Sequence, residues 1–225
     1  MGLEACLFDL DGVLVDTAKY HYLAWKQLAN SLGFDFSEEE NEQLKGISRV
    51  ESLRKILAWG GVDFPQERQD ELAALKNGWY VEMISEMTAN EVLPGSIKLL
   101  EELKSNHIKI GLGSASKNAK LILDNTGLTP YFDALVDGNI VNKSKPDPAV
   151  FLKGAELLNV DPKSCVVFED ASAGVEAALR AEMKAIGIGA EKDLGKAHLV
   201  VSDLTHIDLK AIQNLFYCVS NSFNI

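Results

Sequence analysis

The sequence predicts an α/β protein whose parallel-sheet core is interrupted, directly after its first strand, by an all-helical block. Three observations carry this expectation. Short, continuous apolar runs recur along the chain, the pattern of strands buried on both faces. Helical patterns alternate with those runs in the second part of the chain. Between residues 16 and 92, helical patterns follow one another with no convincing strand among them.

The first strand is read from Glu4-Ala5-Cys6-Leu7-Phe8, which ends in Asp9-Leu10-Asp11-Gly12. Thr17 to Leu32 is amphipathic, with Gly33 as a C-terminal stop signal. Ser37 with Glu40, and Ser48 with Glu51, each form the Ser-x-x-Glu capping box that starts a helix. A further helix is expected over Gln66 to Met87. Leu93-Pro94-Gly95 marks the return to the core. Helices are then expected over Gly95–Asn106, Asn118–Asn125, Ala149–Leu158 and Ala173–Glu182. Strands fall at His107–Gly113, Cys165–Phe168, Lys184–Ile188 and Leu199–Val201. The expected division is a core of residues 1–15 and 93–225 and a helical cap of residues 16–92. No repeat, low-complexity segment or long linker appears.

With 225 residues, 47% of them hydrophobic, the chain can bury a sizeable core. It carries 22 basic and 33 acidic residues, a net charge of -11. A chain this acidic is repelled by nucleic acid and by an anionic membrane surface, so neither is an expected partner. Cys6, Cys165 and Cys218 are too few and too scattered for a disulfide framework or a zinc site, and the first two read as buried small hydrophobes. The first apolar run is broken by Asp9 and Asp11, which fits neither a signal peptide nor a membrane span; the expected compartment is the cytoplasm. Trp59, Trp79 and Leu215-Phe216-Tyr217 are expected to pack in the core.

Side chains alternate along an extended strand, so Asp9 and Asp11 project to the same side. In a parallel sheet, functional groups collect at the C-terminal strand ends. A lone Asp-x-Asp is equally an acidic loop. Three further groups meet it there. Gly113-Ser114-Ala115-Ser116 ends one strand and Lys117-Asn118 opens a helix, giving hydroxyls and free backbone N–H groups suited to an anion or to simple helix capping. Lys143-Ser144-Lys145-Pro146-Asp147-Pro148 is a stiffened loop able to fix a positive charge, although any single lysine is more often solvated. Glu169-Asp170 ends another strand, and carboxylates beside Asp9 and Asp11 need a cation to offset their repulsion. Hard oxygen donors suit magnesium rather than zinc.

As a set, these residues resemble the haloacid dehalogenase superfamily. Asp9-Leu10-Asp11-Gly12-Val13 is similar to its first motif, Ser114 to its second, Lys145-Pro146 to its third and Glu169-Asp170 to its fourth. The likeness covers essentially the whole chain, the helical insertion included, and implies a Rossmann-like core with an inserted cap. It implies Asp9 as the nucleophile that becomes an aspartyl-phosphate, and Asp11 as general acid and base. It also implies Mg2+ held by Asp9, the Asp11 carbonyl, Glu169 and Asp170, with Ser114 and Lys145 completing the phosphate cradle.

Within the cap, Thr17, His21, Trp25, Lys26, Lys45-Gly46-Ile47-Ser48-Arg49 and Lys76-Asn77 are similar to the sugar-phosphate mutase branch of that superfamily, and Ser52 is expected to bind substrate beside them. That branch interconverts a sugar 1-phosphate and 6-phosphate through a bisphosphate, so it needs a distal phosphate site. Arg49 is the expected distal ligand, helped by Ala115, Ser116, Lys117 and Asn118. His21 and Lys76 are expected to couple sugar binding to cap closure, and Trp25 is equally read as packing against His21. Val50, where an acidic residue usually follows the arginine, and Ala171, where a serine is usual, depart from the pattern. The expected partner is a small sugar phosphate, and the expected state is a monomer. A phosphatase using the same core, with water as acceptor, is the alternative. A non-catalytic binding protein is disfavoured by the intact set Asp9, Asp11, Ser114, Lys145 and Asp170.

Overall fold

The computed structural model describes residues 2–45 and 47–217, so Gly46 and Cys218 lie outside the described residues. Strand β1 (Ala5–Phe8) is buried at every position. It lies between β2 (Lys109–Gly113) and β4 (Cys165–Glu169); β3 (Ala134–Val136), β5 (Lys184–Ile188) and β6 (Leu199–Val201) complete the order β3-β2-β1-β4-β5-β6. Every pairing is parallel. Phe8 lies level with Leu112 on one side and Phe168 on the other, so the three central strands end together.

Alternation along β1 supplies both faces of the sheet. Cys6 and Phe8 join Ile110, Leu112, Val166 and Phe168 beneath α5 (Ser96–Ser105), α6 (Ala119–Thr126) and α10 (Leu209–Tyr217). Ala5 and Leu7 join Cys165 and Val167 beneath α7 (Ala149–Leu158), α8 (Ser172–Arg180) and α9 (Glu191–Leu194). Phe8 and Phe168 stack at 4.5 Å between centroids, fixing the strand ends that carry the acidic residues. Burial of each such ring contributes roughly 1.5–3 kcal/mol.

The helical block comprises α1 (Ala18–Ser31), α2 (Glu38–Glu42), α3 (Arg49–Trp59) and α4 (Gln66–Ser85). Both expected capping boxes are present, at Ser37/Glu40 and Ser48/Glu51. The block has its own apolar cluster around Trp25, Leu28, Phe36, Leu53, Ile56 and Leu72. Its two connections to the sheet run side by side. Asp16 N–H donates to the Glu91 carbonyl at 3.0 Å, and Leu93 N–H to the Leu14 carbonyl at 2.9 Å.

The structure corrects several expectations. β3 was not foreseen, because three residues are too few to show a period. The short α9 was also missed. Trp59 is 38% exposed and Tyr217 68% exposed, so neither is core; Trp59 lies over Phe36 at the block's edge, while Leu215, Phe216 and Trp79 do pack against the interior. Cys6 and Cys165 are buried, free thiols as expected. Among the described residues, no helix is long and apolar enough to cross a membrane.

Candidate active site

The sheet order reverses direction around β1, and such a switch point leaves a crevice at the carboxyl ends of the strands. Asp9 and Asp11 leave β1 there, and Glu169 and Asp170 leave β4 beside them. Gly12 has φ +79°, and a Cβ on it would strike the Asp170 carboxylate, so only glycine permits this approach. Asp11 N–H donates to Asp9 Oδ2 at 3.0 Å. The Thr17 hydroxyl, fully buried, donates to Asp11 Oδ1.

Lys145 is 2% exposed, which excludes a solvated surface lysine. Its ammonium bridges Asp9 Oδ1 and Glu169 Oε1. Burial alone would lower its pKa, but the two carboxylates raise it above the usual lysine value. Glu169 is pushed up by burial, and its ionised form rests on Lys145. Its other oxygen accepts from Ala171 N–H at 3.0 Å, and Gly174 leaves the carboxylate the space that a Cβ would fill. The departure at residue 171 is therefore harmless to Glu169, since the backbone makes this bond.

Ser114 is buried at the end of β2. Its hydroxyl accepts from Ser116 N–H at 3.1 Å, and the Ser116 hydroxyl accepts from Asn118 N–H at 3.2 Å. The two serines thus shape the turn ahead of α6 rather than capping the helix itself.

The helical block closes the crevice into a cavity of about 790 Å³. Its walls bring together Asp9, Asp11, Thr17, His21, Trp25, Arg49, Ser52, Lys76, Ser114, Ala115, Ser116, Lys117, Asn118, Lys145 and Asp170. Glu169 does not reach it. It sits behind Lys145 and holds that ammonium, and its expected place among the metal ligands stays a proposal. Val50 also lines the cavity and is 42% exposed.

Opposite the carboxylates stands a cationic wall. Lys76 Nζ lies 3.1 Å from His21 Nδ1 and over the rings of Trp25 (4.4 Å) and Tyr80 (4.5 Å). Burial and Arg49 lower Lys76 to about 7, and burial, Lys76 and Arg49 hold His21 well below its usual value. Arg49 opens α3 and is itself lowered by burial. Trp25 is buried in the block's core and also lines the cavity, while the ring packed on His21 is Tyr80, with centroids 4.2 Å apart.

Tyr80 and Lys45 were not singled out as site residues. Tyr80 follows Lys76 by four positions, hence on the same helix face, which is a usable signal. Lys45 Nζ lies 3.4 Å from Asp170 Oδ2, a contact across the crevice that no local pattern foretells.

Asp11 and Asp170 are each raised to about 7, by burial first and then by Asp9. A bound divalent cation relieves that repulsion. Among the described residues, no three His, Cys, Asp or Glu side chains form a ready metal cluster. The donor set fits magnesium-type binding nonetheless, which uses one or two carboxylates with water and substrate phosphate rather than a protein cage. Asp9 and Asp170 face the cavity and are the side chains available for it.

Residues 3–182 match the profile of the haloacid dehalogenase-like hydrolases, and the chain belongs to that family. Over 208 residues it is 45% identical to the beta-phosphoglucomutase of Bacillus subtilis (strain 168), covering 90% of this chain and 92% of that one. It superposes on a crystal structure of beta-phosphoglucomutase from Clostridium difficile with a TM-score of 0.92 and 46% identity, covering 96% of this chain and 97% of that one. A phosphorylated carbohydrates phosphatase of Thermotoga maritima is 32% identical over 219 residues, covering 95% and 98% of the two chains.

Proposed function

We propose that the protein is a magnesium-dependent phosphomutase that interconverts β-glucose 1-phosphate and glucose 6-phosphate through β-glucose 1,6-bisphosphate. The observation that carries this reading is Arg49, a planar five-donor cation on the cap wall of the cavity that has Asp9 on its other side. A phosphatase needs only the core cradle. A mutase must also hold a second phosphate while the first reacts, and Arg49 with Lys117 and Asn118 supplies that grip. The 45% identity to a beta-phosphoglucomutase supports the same reading.

In this mechanism an Asp9 oxygen attacks phosphorus, and the bond from phosphorus to the leaving oxygen breaks as Asp11 gives that oxygen its proton. Asp11, now ionised, takes the proton of the sugar hydroxyl that attacks the aspartyl-phosphate. The bisphosphate then turns round and returns its other phosphate to Asp9. Ser114 and Lys145 hold the phosphoryl oxygens, and Glu169 keeps Lys145 in place. Mg2+, held by Asp9, the Asp11 carbonyl and Asp170, would neutralise charge on the transferring group. Residues 16–92 act as the moving cap, and Thr17, His21 and Lys76 tie its closure to Asp11. Ser52 and Trp25 shape the sugar end. A charged sugar ester does not cross a membrane unaided, which supports a cytoplasmic enzyme, and an active site completed within one chain is compatible with a monomer.

Arg49→Ala tests the reading. It should lower mutase kcat/KM by about 100-fold, the order of a lost charge-assisted contact of about 3 kcal/mol. Hydrolysis of a small aryl phosphate, which has no distal group, should fall far less. Equal losses in the two assays would overturn the distal-phosphate role.

A further inference from the structure

Asn118 stands at the N-cap of α6, where asparagine ordinarily turns its side chain back onto the first turn. Here it makes no cap bond. Its Nδ2 instead donates across the crevice to Oδ1 of Asn77, on cap helix α4, at 2.9 Å. Two helical turns further along both helices, Asn125 Nδ2 of α6 donates to the Ile84 carbonyl of α4 at 3.0 Å. The two helices are therefore laced at two levels. The Asn125 tie lies next to the chain's crossing between cap and core, whereas the Asn77 tie lines the cavity.

We propose that Asn77 is a positioning residue, which holds the Asn118 amide at the distal-phosphate end of the cavity and completes that end only when the cap is closed. The proposal rests on the mutase reading given above. An amide nitrogen has two N–H donors. With one committed to Asn77, the rotation of the Asn118 side chain is fixed and the other is free for a phosphate oxygen. Forgoing a helix cap in favour of a contact between two moving parts is a local sacrifice of the kind found at functional sites. Water, as an acceptor, gains nothing from this end of the cavity; a phosphorylated sugar does. Asn77 thereby favours transfer to sugar over transfer to water.

The test is a double-variant cycle on the full chain with magnesium, using Asn77→Ala, Asn118→Ala and the pair. Asn77→Ala should cut sugar-phosphate kcat/KM about tenfold, as expected for one oriented hydrogen bond, and at least about fivefold more than aryl phosphate hydrolysis. The pair should lose little more than Asn118→Ala alone, because each residue acts through the other. Asn125→Ala, which cuts the other tie, should lower the thermal midpoint and leave the ratio of the two activities alone. Additive losses at 77 and 118, or the same change of ratio from Asn125→Ala, would overturn the proposal in favour of general loosening of the α4–α6 contact. Wild-type turnover is measured first. Release of phosphate in place of isomerised sugar overturns the mutase reading instead, and the cycle is then read on sugar-phosphate hydrolysis, where non-additivity still supports Asn77 and additivity still overturns it.

Discussion

Lys76 is an ammonium at 2% exposure whose near neighbours are an imidazole and two aromatic faces, with no carboxylate in ion-pair range among the described residues. Cation–π contacts offset only part of the desolvation. The consequence for stability has a definite sign. Burial and Arg49 lower its folded pKa to about 7 from the ordinary lysine value of 10.5, so between those values the unfolded chain binds a proton that the folded chain does not. Stability therefore rises with pH across that window, and the full cost is present below it. Lys76→Met should raise the thermal midpoint near pH 6, and the advantage should shrink towards about pH 10. An advantage independent of pH would show that Lys76 is not held against its preferred charge. Such a group suits a site that later receives a phosphate, whose charge restores the ammonium. Most of the residues that the cavity brings together were legible from sequence, because Asp9, Asp11, Ser114 and Lys145 each end a recognisable run. The contact of Glu169 with Lys145 was not. Two adjacent acids after a strand look alike on paper, and only burial shows that one faces the cavity and the other supports a lysine.

Helix α3 illustrates how an element places a residue. Ser48 accepts from Glu51 N–H, Glu51 returns a bond to Ser48 N–H, and Arg49 follows at the first helical position. A cation there is mildly unfavourable against the helix dipole, so the cap does more than start the helix: it fixes where an awkwardly placed guanidinium projects. Ser48→Ala should destabilise the protein by about 1 kcal/mol, read as a lower midpoint in denaturant, and should raise KM for the sugar phosphate more than it lowers kcat. Unchanged KM would separate the cap from Arg49. Capping boxes and long amphipathic helices were readable because their signals are local. β3 was not, since Ala134–Val136 owes its place to pairing with Gly111–Gly113 of β2, and pairing partners leave no mark in so short a run. The contact between Lys45 and Asp170 was equally hidden, as it exists only once two separate bodies meet.

At the scale of the whole molecule, the outer part of the helical block has its own apolar cluster, while Ala24 of α1 and Tyr80 and Ile84 of α4 belong to the cluster that covers the sheet. Helices α1 and α4 thus carry the join between block and sheet, while the stacked rings of Phe8 and Phe168 fix the strand ends beside Asp9 and Glu169. In the proposed mechanism the core transfers the phosphate and the cap decides what receives it. The central claim is that a sugar hydroxyl, not water, takes the phosphoryl group from Asp9. The most direct measurement supplies β-glucose 1-phosphate with magnesium and a trace of the bisphosphate, and follows glucose 6-phosphate and free phosphate together. The account predicts glucose 6-phosphate in large excess over released phosphate. Free phosphate as the main product would contradict it and make the protein a phosphatase.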